Sequence, residues 1–343
     1  MSETSTAHPA RGQGFNLGRM LLEGRAFFAL IAIVAVFSFL SPNYLTVSNL
    51  LIKASHVAIY GILAIGMLLV ILNGGIDLSV GSVLALSGVV AGALMQGVEI
   101  ERLGVILFLP VWAVVVVTCC VGALVGAVNG VLIAWFKVPA FVATLGVMYV
   151  ARGVALLQTN GLTYNNLQGR ADLGNTGFDW LGFNRLAGIP ISVLVLATIA
   201  VVTALMRSAF GRWLYASGGN ERAADLSGVP VNRVKITVYM LSGMLAAITG
   251  LVLSSQLTAA GPTAGTTYEL TAIAAVVIGG VALTGGRGTV QGTMLGAFVI
   301  GFLSDGLVII GVSSYWQTVF TGAVIVLAVL MNSVQYGRGG RRN

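Results

Sequence analysis

Four polar side chains, Asn73, Asp77, Ser79 and Ser82, break an apolar run in the stretch NGGIDLSVGS. An amide, a carboxylate and two hydroxyls at this spacing have two uses. Asp77 or Ser79 can cap a following helix by accepting its free amide hydrogens. The group can also line a hydrophilic route, because ionisable side chains within apolar spans usually face an interior path. The two uses are compatible. A second polar group occupies 216–235, ASGGNERAADLSGVPVNRVK, where Glu221, Arg222, Asp225, Arg233 and Lys235 crowd together. Neither stretch pairs a nucleophile with a base. The chain contains no H-E-x-x-H motif and no G-x-x-x-x-G-K-[ST] phosphate cradle. His8 and His56 are its only histidines. No catalytic residue, metal site or cofactor is expected.

The elements that position these groups follow from composition. Of 343 residues, 57% are hydrophobic and 8% charged, and mean hydropathy is +0.95. A soluble domain carries about a quarter charged residues, so most of this surface faces lipid. The expected fold class is an all-α polytopic membrane protein. At roughly 20 apolar residues per crossing, about ten transmembrane helices are placed at 26–41, 52–72, 79–97, 104–136, 138–158, 190–207, 236–256, 270–284, 290–311 and 316–333. The fourth is too long for one straight crossing, so it is tilted, kinked near Gly122 to Gly130, or split. The eighth is short. Cys119 and Cys120 sit side by side in an apolar run and read as small packing residues. The abundant glycines, 46 in all, suit close helix approach in a bilayer.

Residues 1–25 form a polar tail with Arg11, Arg19 and Arg25, and the apolar run Ala26 to Leu40 reads as a retained span rather than a cleaved signal. With a cytoplasmic N-terminus and ten spans, thirteen of the 18 Lys and Arg residues fall on the cytoplasmic side. The positive-inside rule selects that orientation. It puts both termini, the 208–235 loop and the 335–343 tail in the cytoplasm, and turns the 159–189 loop to the outer side. Basic residues scattered at span ends, without aromatic interleaving, point to membrane topology and not to nucleic acid.

Within 208–235, Gly218, Gly219 and Asn220 read as a turn into a short helix over Glu221 to Ser227. Gly228-Val229-Pro230 stops it. Ala223 and Ala224 keep it slim, and a helix this short needs neighbours or a partner to hold it. It is either a docking element for a soluble partner or a solvated loop. Arg152 and Asp305 either pair or snorkel to an interface. Lys53 and His56 are placed in the outer headgroups, Glu269 at a helix N-terminus, and Tyr315-Trp316 in an aromatic belt. NGGIDLSVGSVL (73–84) and TGGRGTVQGTML (284–295) echo one another and read as glycine corners between spans.

Four stretches together, the 216–235 segment, NGGIDLSVGS, PTAGTTYELTAIAAVVIGG (262–280) and GVSSYWQ (311–317), resemble the permease subunits of bacterial ABC importers for monosaccharides, the ribose type above all. The resemblance runs from about residue 25 to 334. It implies a homodimer of about ten spans per subunit, cytoplasmic ABC ATPase subunits docked on a coupling helix, and a periplasmic sugar-binding protein at the outer face. By motif, Gly218, Gly219, Asn220, Glu221, Arg222, Ala223, Ala224, Leu226, Ser227 and Gly228 correspond to the ATPase-coupling segment. Two positions depart from the pattern. Arg222 precedes the alanine pair where the broader family has Glu, and Asp305 stands where ribose-type members are expected to carry a neutral amide. The rival reading is an ion-coupled secondary transporter, with Asp77, Asp305 and Arg152 as its candidate ion site.

Overall fold

The computed structural model describes residues 24–100, 104–186, 189–190, 201–203, 205 and 208–337. The expected span at 190–207 and both tails lie largely outside the described residues. The helices are α1 (Arg25–Leu40), α2 (Val47–Leu72), α3 (Val80–Gln96), α4 (Val111–Ala134), α5 (Ala140–Thr159), α6 (Trp180–Phe183), α7 (Ala209–Gly219), α8 (Glu221–Leu226), α9 (Val231–Leu257), α10 (Tyr268–Ile278), α11 (Val290–Ile309) and α12 (Ser314–Gly337). By length and composition, α2, α4, α5, α9 and α11 can each cross a membrane, and α1, α3, α10 and α12 hold shorter apolar stretches. Among the described residues the fold is helical, with short two-stranded pairings as its strands.

The central pillar is α2. Every residue from Gly61 to Leu72 is buried, and α9, α11, α10 and α7 pack against it.

The fourth expected span is corrected at its start. Val98–Ile100 pairs with Val105–Leu107 in an antiparallel hairpin, and the helix begins only after Pro110. Proline at the N-cap lacks the N–H that a continuing helix would need. Beyond it, α4 is one uninterrupted helix. Gly122, Gly126 and Gly130 do not kink it; they lie every fourth residue along the face that meets α9 at Ala247, Gly243, Tyr239 and Ile236. Without side chains in the way the two backbones touch, and in lipid such close contact is the main source of helix association.

The eighth expected span is also revised. Its helix α10 has 11 residues, about 16 Å at 1.5 Å per residue, half of a hydrocarbon crossing. Before it, Thr258–Thr267 runs without helix, and Ala259–Ala260 pairs with Tyr164–Asn165. The carbonyls of Pro262 and Ala264 both accept from Arg152 Nη1, at 2.6 and 2.9 Å. Arg152 therefore neither pairs with Asp305 nor snorkels. It neutralises backbone acceptors that the interrupted helix leaves free.

Candidate functional site

Two glycine corners and the entry to α8 converge at one end of the bundle. Helix α2 ends at Leu72, and the chain turns through Asn73-Gly74-Gly75 before α3. Helix α10 ends at Ile278, and Thr284-Gly285-Gly286 precede α11. The two stretches that echo each other in sequence thus occupy equivalent helix–corner–helix positions. Ser217-Gly218-Gly219, the end of α7, is wedged against both. Asn73 Nδ2 donates to Ser217 Oγ at 2.8 Å, and Gly286 N–H donates to the Leu72 carbonyl at 3.0 Å. A Cβ added at Gly218 would collide with that same carbonyl. Tyr215, one turn earlier on α7, donates its hydroxyl to Gly288 O at 2.7 Å. Burial holds the Tyr215 pKa above its ordinary value, so the group stays a donor.

Asp77 and Ser79 of the first corner are tied into a buried hydrogen-bond network. Asp77 Oδ1 accepts from Ser79 N–H at 2.9 Å and from Ser79 Oγ at 2.6 Å. Asp77 Oδ2 accepts from Ser242 Oγ of α9 at 3.0 Å, and Asn129 Nδ2 of α4 donates to Ser79 Oγ at 2.9 Å. Asn73, Asp77, Ser79 and Ser82 are all buried. Ser79 holds the N-cap position of α3 without capping through its side chain; its hydroxyl serves Asp77 instead. In this conformation Asp77 and Ser79 tie the start of α3 to α4 and α9, Asn73 ties the corner to α7, and Ser82 is buried. Sequence reasoning missed Ser242, Asn129 and Ser217, because a lone serine or asparagine in an apolar helix carries no periodic signal for its distant partner.

Helix α8 follows directly. Asn220 is extended and accepts the Ala223 amide on its side chain at 3.0 Å, an N-cap. Ser227 Oγ donates to the Ala223 carbonyl at 2.8 Å. Gly228 then takes φ +84°, a backbone glycine adopts freely, and lets Val229 N–H return to Ala224 O at 3.0 Å. Ala224 packs inward, whereas Glu221, Arg222, Ala223, Asp225, Leu226, Ser227 and Gly228 are exposed. Leu226, 83% exposed, is an apolar knob with nothing on it. Lys235 at the start of α9 pairs with Glu221 at 2.7 Å; at this exposure the pair orients more than it stabilises. Asn220→Ala is expected to destabilise α8 by about 1 kcal/mol, read as faster protease cleavage within 216–230 and unchanged cleavage elsewhere.

At the opposite end, Asp305 of α11 meets His56 of α2 at 2.8 Å. Lys53 is fully buried, its ammonium donating to Tyr44 O at 2.9 Å and lying over the Tyr44 ring. The headgroup placement of Lys53 is thus corrected: its aliphatic stem packs inside and its charge is met by a carbonyl and an aromatic face. Glu269 lies in the first turn of α10 as expected. A cavity of about 270 Å³ between α1, α10, α11 and α12 is lined by apolar side chains such as Ile33, Ile278 and Leu327. It offers a polar solute nothing to bind.

In sequence, the chain is similar to known transport permeases. A family model described as "Branched-chain amino acid transport system / permease component" matches residues 49–329. The ribose import permease RbsC of Escherichia coli K12 is 42% identical over 331 residues, 96% of this chain and 99% of that protein. RbsC of Bacillus subtilis is 45% identical over 309 residues, covering 89% and 91%. The xylose transport system permease XylH of Escherichia coli K12 is 36% identical, covering 97% of each chain. No solved structure matches.

Proposed function

Because the chain belongs to the branched-chain amino acid transport system / permease component family, a family of multi-pass inner-membrane proteins, we propose that it is the membrane-spanning subunit of an ATP-driven importer of a monosaccharide, ribose or a related sugar. Permease components of such importers are not themselves enzymes. ATP hydrolysis then belongs to a separate cytoplasmic ATPase, sugar delivery to a periplasmic binding protein, and the working unit contains two copies of this chain. Both termini and the 208–235 loop are cytoplasmic in this reading, the 159–189 loop is periplasmic, and 26–334 form the permease domain.

The observation that carries the reading is the junction of α7 with the two corners. A docking helix transmits force only if something stiff lies behind it. Here α8 presents Leu226 and Ala223 outward, while Gly218 and Ser217 immediately behind it are seated in the turns between α2 and α3 and between α10 and α11. Movement of α8 must move both turns. The same logic assigns Asn73, Asp77, Ser79 and Ser82 to the translocation route as residues of its shut inner gate, which become wetted when α3 parts from α4 and α9. A bound partner biases such an equilibrium only by its differential affinity for the two states, which nucleotide turnover supplies.

The test is reconstituted uptake. Labelled ribose or xylose is expected to enter vesicles only when the ATPase, ATP and the binding protein are all supplied. Uptake by this chain alone under an ion gradient would establish the secondary-transporter reading instead. Gly228→Pro, or Ala224→Leu, is expected to abolish co-purification of the ATPase while membrane insertion persists; normal co-purification would remove α8 from the interface.

A further inference from the structure

The interruption before α10 creates a polar surface where lipid cannot be the solvent. Arg152 lies seven residues short of the end of α5 at Thr159, about 10 Å along the helix from that end, and its guanidinium holds the carbonyls of the break. Non-helical backbone at such depth is tolerated where it is buried in protein or lines a wet cavity. Arg152 takes care of Pro262 and Ala264, yet Thr263, Thr266 and Thr267 are exposed. Thr267 is held at φ +69°, a conformation that a β-branched residue adopts only under strain. Strain of this kind collects at functional sites.

Hydroxyl and aromatic groups face this break from the neighbouring helices. The Tyr268 ring, at the start of α10, lies 5.4 Å from the Tyr60 ring of α2. The Tyr60 hydroxyl interacts with those of Tyr268 and Ser304. Beyond Ser304 comes Asp305, which holds His56 through Oδ1 while its Oδ2 is buried without a hydrogen-bond partner. Tyr60, Tyr268 and Ser304 are partly exposed and His56 is exposed. Three elements thus bring two aromatic rings, several hydroxyls, an imidazole and an under-used carboxylate to one place. Aromatic faces accept the C–H faces of a sugar ring, and the polar groups match hydroxyls that both donate and accept.

We propose that this break, with Tyr60 and Tyr268 at its centre and the His56–Asp305 pair beside it, is a contact site for the hydroxyls of the transported solute, a polyhydroxylated small molecule. The site rests on the importer reading above and deepens it by naming where the permease touches its cargo. Interrupted helices that expose backbone and hydroxyls inside a membrane domain are a recurring way to hold polar substrates.

The experiment uses the full complex in vesicles, with ribose and xylose as probes. Tyr60→Phe and Tyr268→Phe keep the rings and remove one hydroxyl each. Uptake at sub-saturating sugar is expected to fall about five- to ten-fold for each, the weight of one hydrogen bond, while ATPase docking and thermal stability stay as in wild type. As a second readout, Thr266→Cys in a background of Cys119→Ala and Cys120→Ala is expected to react with a water-soluble maleimide, more slowly in the presence of sugar. Unchanged uptake by both Phe variants, or a Thr266→Cys that stays unlabelled because lipid or a second copy covers it, would overturn the site even though wild type transports. Failure of the wild-type complex to import either sugar would overturn the importer reading itself, and the site with it.

Discussion

Gly218→Ala is expected to abolish transport while leaving the chain inserted in the membrane. The added methyl would occupy the space of the Leu72 carbonyl and stand 2.9 Å from the Gly286 amide, the two groups that bond one another. Both neighbours are backbone, so neither can rotate away. Overpacking costs typically about 1–3 kcal/mol and occasionally more, and a backbone-to-backbone clash belongs at the upper end. About 3 kcal/mol is more than a hundredfold in an equilibrium constant, enough to unseat α7 from both corners. Gly219→Ala is the matched control, since a Cβ there meets nothing within 4 Å. The measurement is ATP-driven uptake beside ATPase co-purification. Loss of uptake with retained co-purification in Gly218→Ala, and near-normal uptake in Gly219→Ala, is the expected pattern. Equal behaviour of the two variants would mean that the corner contact transmits nothing.

Gly126→Leu is expected to prevent folding altogether. A Cβ at Gly126 would collide with the Tyr239 carbonyl and stand 3.0 Å from Met240 Cα, and the rest of a leucine would have to fit between α4 and α9. Separation of these helices also pulls Asn129 away from Ser79 and Ser242 from Asp77, so packing and polar contacts fail together. The loss should exceed about 3 kcal/mol and appear as absent or aggregated protein on size-exclusion chromatography. Gly146→Ala on α5, with no atom within 4 Å of the added Cβ, should instead be neutral or stabilising by up to about 1 kcal/mol, because glycine in a helix interior carries an entropic cost. The contrast separates a glycine needed for contact from one that is merely present.

Much of this architecture is legible in the sequence, for a physical reason. A helix in lipid satisfies its backbone internally and declares itself by length and apolarity alone, so α1, α2, α3, α5, α9, α11 and α12 lie close to their expected positions. The short helix at Glu221–Leu226 is equally local. Its Asn220 cap and Gly228 stop act within a few residues, and their chemistry can be read from residue type. The errors arise where the same composition permits two structures. Residues 104–110 are apolar enough to extend a span, but Pro110 and the hairpin pairing of Val98–Ile100 with Val105–Leu107 end the ambiguity. Residues 279–284 are apolar too, but Gly279 and Gly280 close α10 early.

By itself, then, the sequence determined a multi-span helical membrane protein, its glycine corners and a short, capped surface helix, because each depends on interactions within a turn or two of the chain. Only the tertiary structure decided that Asp305 meets His56 across 249 residues, that Arg152 donates to the carbonyls of Pro262 and Ala264 instead of pairing with Asp305, and that Ser217 and Gly218 lock into Asn73 and Gly286. Charge and size state what a side chain needs, but several groups could meet each need. Which one does is set by the relative placement of whole helices, and that depends on the packing of all of them at once.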